Sequence, residues 1–243
     1  MSPSSHSEVA DALRSKINSG ELADELPSIQ QLGDDFGVGR ATVRRALQTL
    51  TAEGLIEGGA GQLKHVRRED RDQWVMSTLA AKRTADEDTW TAMIHQRGQT
   101  PSVETTVHLL QADAELVAAL EIGHGDQVVL QAAVHKADGK PHHLTDVHLP
   151  QWIVAAHPEF VTAQDPATHA ALLAAAKLPQ AYYDDGIAGR MPTPDESQRL
   201  RISPGVPLLI HTRITYSADD RPLRYIRTRV AADRAAFAYQ VEA

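Results

Sequence analysis

Apolar positions recur at helical spacing from the start of the chain. Val9, Ala12, Leu13 and Ile17 share one face of a helix expected over 8–19, which Gly20 ends. After Leu26-Pro27, Ser28 stands three residues before Gln31, the Ser-x-x-Gln spacing in which two side chains satisfy free N–H groups at a helix start. Leu32 and Phe36 form the inner face of this second helix, and Gly37 closes it. A tight Gly37-Val38-Gly39 turn leads into a third helix from Arg40 to Glu53. That helix is apolar at Val43, Ala46, Leu47 and Leu50, and polar at Arg40, Thr42, Arg44, Arg45, Gln48 and Thr49. Past Gly54, Leu55-Ile56-Glu57 reads as a short strand, Gly58-Gly59-Ala60-Gly61 as a turn, and Leu63 to Arg67 as a return strand. Three helices followed by a β-hairpin is the order of a winged helix-turn-helix, and it assigns 1–68 to one domain.

The texture then changes twice. Residues 69–87 are polar and charged apart from the cluster Trp74 to Leu79, and read as a linker with some helix. Trp90, Met93, Ile94 and Arg97 indicate a helix ended by Gly98. Strand-like runs follow at about 102–111, 127–136, 142–149, 181–191, 206–217 and 222–230, with helical runs near 113–120, 166–177 and 194–200. Asp138-Gly139 is a two-residue hairpin turn, and Asp219-Asp220 turns a second hairpin. The second domain, 88–243, is thus expected to be α+β with a mostly antiparallel sheet.

With 243 residues the chain accommodates two domains. It has no cysteine, which removes disulfides and thiolate metal sites. No apolar run reaches transmembrane length and the N-terminus lacks a signal-peptide core, so the expectation is a cytoplasmic protein with no membrane partner. The formal net charge of -8 would by itself repel phosphate. The distribution matters more. Arg40, Arg44 and Arg45 occur without an intervening acid, as do Lys64, Arg67 and Arg68.

A recognition helix needs an apolar inner face to hold it on its domain and a polar outer face to enter the major groove. The segment Arg40-Ala-Thr-Val-Arg-Arg-Ala-Leu has both. Arginine at a helix start can take guanine O6 and N7 with two bonds. Thr42 and Arg45 suit phosphate, which sets register without reading sequence. Lys64 on the hairpin can approach the minor groove or the backbone. Taken alone, these arginines would read as the solvated face of an amphipathic helix. The helix order, tight turn and hairpin together favour double-stranded DNA.

These residues carry a resemblance. Gly20-Glu-Leu, Leu26-Pro-Ser, Phe36-Gly-Val-Gly-Arg-Ala-Thr-Val-Arg-Arg-Ala-Leu, Leu50 and Glu53-Gly-Leu-Ile resemble the GntR family DNA-binding domain over 8–67. The resemblance implies DNA contacts from Ser28, Gln30, Arg40, Thr42, Arg44, Arg45, Gly61 and Lys64. It also implies a homodimer on a short palindromic operator. Two positions depart from the family pattern. Gln30 stands where arginine is usual, although glutamine can read adenine, and Gly61-Gln62-Leu63 replaces Gly-x-Gly in the wing.

From 88 onward the chain resembles the UTRA effector domain of the HutC subfamily, whose fold is chorismate-lyase-like. The anchors are Arg97-Gly98, Thr100-Pro101, Gly125-Asp126-Gln127-Val128, Ala137-Asp138-Gly139-Lys140-Pro141, Leu149-Pro150 and Arg221-Pro222-Leu223-Arg224-Tyr225. The resemblance places an effector site at Trp90, Thr91, His135, Thr145, Thr168, Arg224 and Tyr225, with Arg190 a further candidate for an anionic group. In sugar-phosphate sensors the positions of Ala133 and His135 carry basic residues, and that of Arg224 holds glutamate. The replacements here argue against a hexosamine phosphate and for an effector bearing a carboxylate that meets Arg224. The alternative is that Arg224 is a surface strand residue.

His135, His142, His143 and His148 fall on one hairpin, with His135 expected to face His142. Adjacent His142 and His143 should point to opposite faces, so neither a metal site nor a cofactor is expected. Tyr182-Tyr183-Asp184-Asp185 either lines the pocket or is an exposed strand end. The leading reading is a repressor modulated by a small molecule. The rivals are a lyase-like enzyme, with Arg190 or Arg224 binding a carboxylate and Glu196 as proton donor, and a regulator that takes no ligand. No nucleophile-base pair, phosphate loop or metal motif supports turnover, so no catalytic residue is assigned.

Overall fold

The protein is described here from a computed structural model that covers residues 5–58, 63–67, 72–75, 89–162 and 166–238, with backbone only at 72–75, 89, 166–168 and 170. The contacts divide the chain into two units, Met1–Arg71 with Met191–Pro207, and Asp72–Arg190 with Leu208–Ala243.

In the first unit, α1 (His6–Asn18), α2 (Ile29–Phe36) and α3 (Arg40–Ala52) precede a hairpin of β1 (Ile56–Glu57) and β2 (His65–Val66). The expected cap forms in both directions at α2, and a second box, Ser5 with Glu8, starts α1. Gly37 closes α2 in the left-handed region at φ 67°, the conformation that favours glycine there. The core is Val9, Leu13, Leu26, Leu32, Val43, Leu47, Leu50 and Ile56, and at the first helix Ala10 is buried rather than Ala12. Arg14 on α1 holds Glu53 at the end of α3 with two bonds of 3.0 and 2.6 Å. The unit also takes in α8 (Pro194–Leu200) and its trailing turn. Gly205, at φ 82°, lies against the last turn of α3 so closely that a Cβ would stand 2.3 Å from the Ala52 carbonyl oxygen.

The second unit is built on a six-stranded antiparallel sheet. Its strands are β4 (Pro101–Gln111), β5 (Gln127–Ala137), β6 (Lys140–Pro150), β7 (Tyr182–Arg190), β8 (Leu208–Tyr216) and β9 (Pro222–Ala231), in the spatial order β4-β5-β6-β9-β8-β7. On one face, α6 (Gln151–Ala156), a 3-10 turn at Pro158–Val161 and α7 (Pro166–Ala175) surround Val147, Leu149, Phe160, Leu173, Leu223 and Ile226. Farther along that face α4 (Thr89–Gln96) lays Trp90 and Ile94 against Ala137. On the other face α5 (Ala114–Leu120) packs Leu116 and Leu120 on Val128 and Tyr225.

Two segments and a strand partner differ from the expected pattern. Residues 72–75, read as linker, form β3 (Asp72–Val75), which pairs in parallel with β10 (Ala235–Ala238). Residues 151–161, which carried no expected element, are α6 and the 3-10 turn. The rest of 69–87 lies outside the described residues.

Candidate DNA interface and effector site

The third helix has one buried and one open face. Val43, Ala46, Leu47 and Leu50 are buried, whereas Arg40, Arg44, Arg45 and Gln48 are exposed and Thr42 is half-buried. The acid-free turn that carries Arg40 and Arg44 thus points its cations outward. Gln30 is exposed on α2, and its side-chain carbonyl accepts a bond from Arg40 Nη2, which joins the two helices through polar tips. Ser28 is occupied as the cap of α2. On the hairpin, Lys64 Nζ donates to the Gly58 carbonyl and Leu63 is 51% exposed. Gly61 lies outside the described residues.

The effector candidates spread along one face of the sheet, and the strand register orders them in rows. His135 pairs with His143, which pairs with Val230. The next row on this face is Ala133, Thr145, Thr228 and His211. Then come Gln131, Val147, Ile226, Arg213 and Asp185. Last, Arg224 pairs with Thr215, and Thr215 with Tyr183. A sheet face under helices is normally apolar. This one instead buries Gln131, His135, His143, Thr145, His211, Thr215, Arg224 and Thr228.

At the α4 end, Trp90 meets His135, His142 and His143 with ring centroids 5.2, 5.8 and 5.1 Å apart. His135 and His143 stack at 4.0 Å. The expectation that His142 and His143 point to opposite faces is not met, because their Nδ1 atoms lie 3.1 Å apart. A bulge between His135 and Lys136 shifts the register here, so strict alternation fails and His143, not His142, pairs with His135. Burial first, then the neighbouring imidazoles, pushes His143 well below the usual histidine range, so it is neutral. Among the described residues no group of three ligating side chains is placed to hold a metal ion.

At the other end lies a cluster of charges. Arg213 grips Asp185 with Nε and Nη2, both at 2.6 Å, and His211 Nε2 is 3.1 Å from the same carboxylate. Burial opposes the charge on Asp185, but Arg213 and His211 outweigh it and hold the carboxyl well below its usual range. The Arg213 guanidinium also sits 4.0 Å above the Tyr183 ring. Arg224 is 4% exposed, which corrects the reading of it as a surface residue; the next residue toward the turn, Leu223, sits where β8 and β9 shift register and packs with the α6–α7 layer.

Other candidates stand apart. Tyr225 is on the opposite face, where its hydroxyl donates to Glu115 at 2.5 Å. Arg190 is exposed at the end of β7. Thr91 follows Trp90 on α4 and is half-buried. Thr168 lies in α7, with its side chain outside the described atoms. In the Tyr182–Asp185 run, Tyr183 and Asp185 take the inner face, whereas Tyr182 donates to Asp220 at 2.9 Å, a bond that pushes its phenol up to about 12. Gln180, Asp185, His211, Arg213, Thr215 and Thr228 join the inner face without having been singled out as site residues, except Asp185 within that run. Apart from Gln180, which lies outside the strands, their signal was polar residues at alternate strand positions, which becomes readable once the register is known.

Residues 5–62 match the family model of bacterial regulatory proteins of the gntR family, and residues 96–236 match the UTRA domain. The chain is 28% identical to the uncharacterized HTH-type transcriptional regulator RB1450 of Rhizobium meliloti (strain 1021), over 93% of this chain and 91% of that one. It is 24% identical to the HTH-type transcriptional repressor NagR of Bacillus subtilis (strain 168), over 97% and 93% of the two chains. A crystal structure assigned to the GntR-family transcriptional regulators superposes with a TM-score of 0.70 at 22% identity, covering 98% of this chain and 97% of its own, a likeness of fold. The chain belongs to the GntR family of DNA-binding transcriptional regulators, with an N-terminal winged helix-turn-helix and a C-terminal UTRA domain.

Proposed function

We propose that the protein is a cytoplasmic, homodimeric repressor of the HutC subfamily that holds a short palindromic operator and releases it when a small, carboxylate-bearing molecule binds the UTRA domain. Residues 1–68 serve as the DNA-binding domain and 88–243 as the effector-binding and dimerisation domain, with 69–87 between them. Arg40 and Arg44 read base edges, Gln30 reads beside Arg40, and Thr42, Arg45, Ser28, Gly61 and Lys64 hold the phosphate backbone. The effector lies on the inner sheet face between Trp90 and Arg224, over Thr145 and Thr228. Ligand binding favours one arrangement of the dimer over another, and the two recognition helices then no longer match major grooves about 34 Å apart.

The observation that supports this most is the row of buried polar side chains under a helical layer, where a purely structural sheet would be apolar. The relatives named as an HTH-type regulator and a repressor support the DNA-binding half. The test is a gel shift of the full chain on DNA upstream of its own gene, with random competitor at fixed salt, together with selection of binding sites from random duplexes. A palindromic site bound in preference to competitor is expected. Failure of both to yield a preferred sequence would refute the repressor reading.

A further inference from the structure

The inner sheet face ends in a charge for which the described residues supply no direct counter-ion. Arg224 Nε donates to Thr215 Oγ1 at 3.3 Å, and Nη2 donates to Gln180 Oε1 at 2.7 Å. Both acceptors are neutral. Nη1 is buried and has no hydrogen-bond partner among the described residues. The neighbouring carboxylate, Asp185, is already engaged by both Arg213 nitrogens and by His211. Burial, followed by repulsion from Arg213, pushes the Arg224 guanidinium down to about 10, a shift in the direction expected for a cation without a counter-ion. It is still protonated at neutral pH. Buried charges are ordinarily paired, because desolvation without a partner is costly.

The donor arithmetic is specific. A guanidinium has five N–H donors in a planar fork. Thr215 takes the Nε proton and Gln180 one Nη2 proton, leaving two on Nη1 and one on Nη2. The free end of the fork, with one proton from each terminal nitrogen, is the edge that binds a planar carboxylate with two parallel bonds. One unpaired positive charge matches one negative charge. A dianion would add excess negative charge beside Asp185 and the Tyr183 ring face.

We propose that Arg224 is the receptor for a monocarboxylate on the effector, with Gln180 and Thr215 holding the fork in place, and that the ligand-free protein carries this unpaired charge at a cost to its own stability. This rests on the effector reading above, which already places a carboxylate near Arg224, and adds the single charge of that group, the fork geometry that Gln180 and Thr215 hold for it, and the stability cost of the empty seat.

The test uses thermal melting of the full chain. Acetate and benzoate are the probes, exchanged against chloride at constant ionic strength and neutral pH, with sulfate as the dianion control. Arg224→Met, which keeps the stem and removes the charge, is expected to melt about 2–8 °C above the wild type without added probe. The carboxylates are expected to raise the wild-type melting temperature in a saturable way, sulfate less so, and Arg224→Met is expected to show no such response. Arg224→Lys keeps the charge but loses the fork, and its midpoint for carboxylate should be at least tenfold weaker.

A Met variant that fails to fold or melts well below wild type would overturn the claim that the charge is held at a cost. A wild type indifferent to both carboxylates, or a carboxylate response that survives in Arg224→Met, would overturn the anion seat. The wild-type gel shift decides the repressor reading separately, so the two failures are distinguishable.

Discussion

Arg40→Ala separates base reading from simple charge attraction. Arg40 opens α3 on the exposed face, and the hydrogen bond found for its side chain runs from Nη2 to Gln30 on α2. Both residues are exposed, so losing that bond should cost the fold about 0–1 kcal/mol, and the melting temperature should hardly move. If Arg40 instead closes on a guanine edge with two bonds, its loss costs about 1–3 kcal/mol of specific binding, or about 5- to 150-fold in Kd. The remaining lattice of phosphate contacts would be untouched, so the salt dependence of operator binding should keep its slope. Fluorescence anisotropy on the selected operator and on a scrambled duplex, across a salt series, measures both quantities. Gln30→Ala and the double variant complete a cycle, in which a coupling of about 0.5–1 kcal/mol is expected from the shared hydrogen bond. Equal loss on operator and scrambled DNA, with a salt slope smaller by about one unit, would make Arg40 a phosphate anchor and refute the base-reading assignment.

Four further outcomes follow from the packing. Leu50 is fully buried at the centre of the first unit, so Leu50→Ala should destabilise that unit by about 2–5 kcal/mol; calorimetry should show its transition moving down while that of the sheet unit stays. Gly205→Val should also weaken the first unit, because the position has φ 82° and a Cβ would stand 2.3 Å from the Ala52 carbonyl, so a variant with unchanged melting would refute that close approach. Asp185→Asn removes the carboxylate gripped by Arg213 and His211 and should cost about 2–4 kcal/mol, with part of the loss recovered by adding Arg213→Met, as measured by denaturant melts. His143 and His148 are pushed below the usual histidine range mainly by burial, so the unfolded chain takes up protons near pH 6.5 before the folded one does. Stability should therefore be full above about pH 7 and fall as the pH drops through 6.5 toward 5, with His143→Phe flattening the profile. Glu115, held low by Tyr225 and Arg227, contributes its loss only below about pH 4.5 and so does not confound that window.

What the sequence made legible was local. The Ser28–Gln31 box, the Gly37 terminus and the apolar stripe of α3 are all set by neighbours within four residues, and all appear as expected. The Asp138-Gly139 turn fixed a hairpin whose strand ends all fall within two residues of the expected bounds. The failures were non-local. The pairing of β3 with β10 joins Asp72 to Ala235, and no pattern within 72–75 announces a partner so distant. The candidate site has the same character. Alternation along β6 and β9 says that Thr145 and Thr228 take some face, but only the register puts them side by side with His211, between the histidine end and the arginine end. A single bulge after His135 suffices to bring His142 and His143 together, against the alternation rule. Arg224 shows the limit most clearly. Its own strand allows a surface reading; the regular pairing with Thr215 puts it on the same face as Ile226 and Thr228, and Gln180, which precedes a different strand, accepts a bond from its guanidinium. Among the described residues that arrangement gives the guanidinium only neutral hydrogen-bond partners, so the anion proposed above would answer a need of the folded arrangement rather than of the arginine alone.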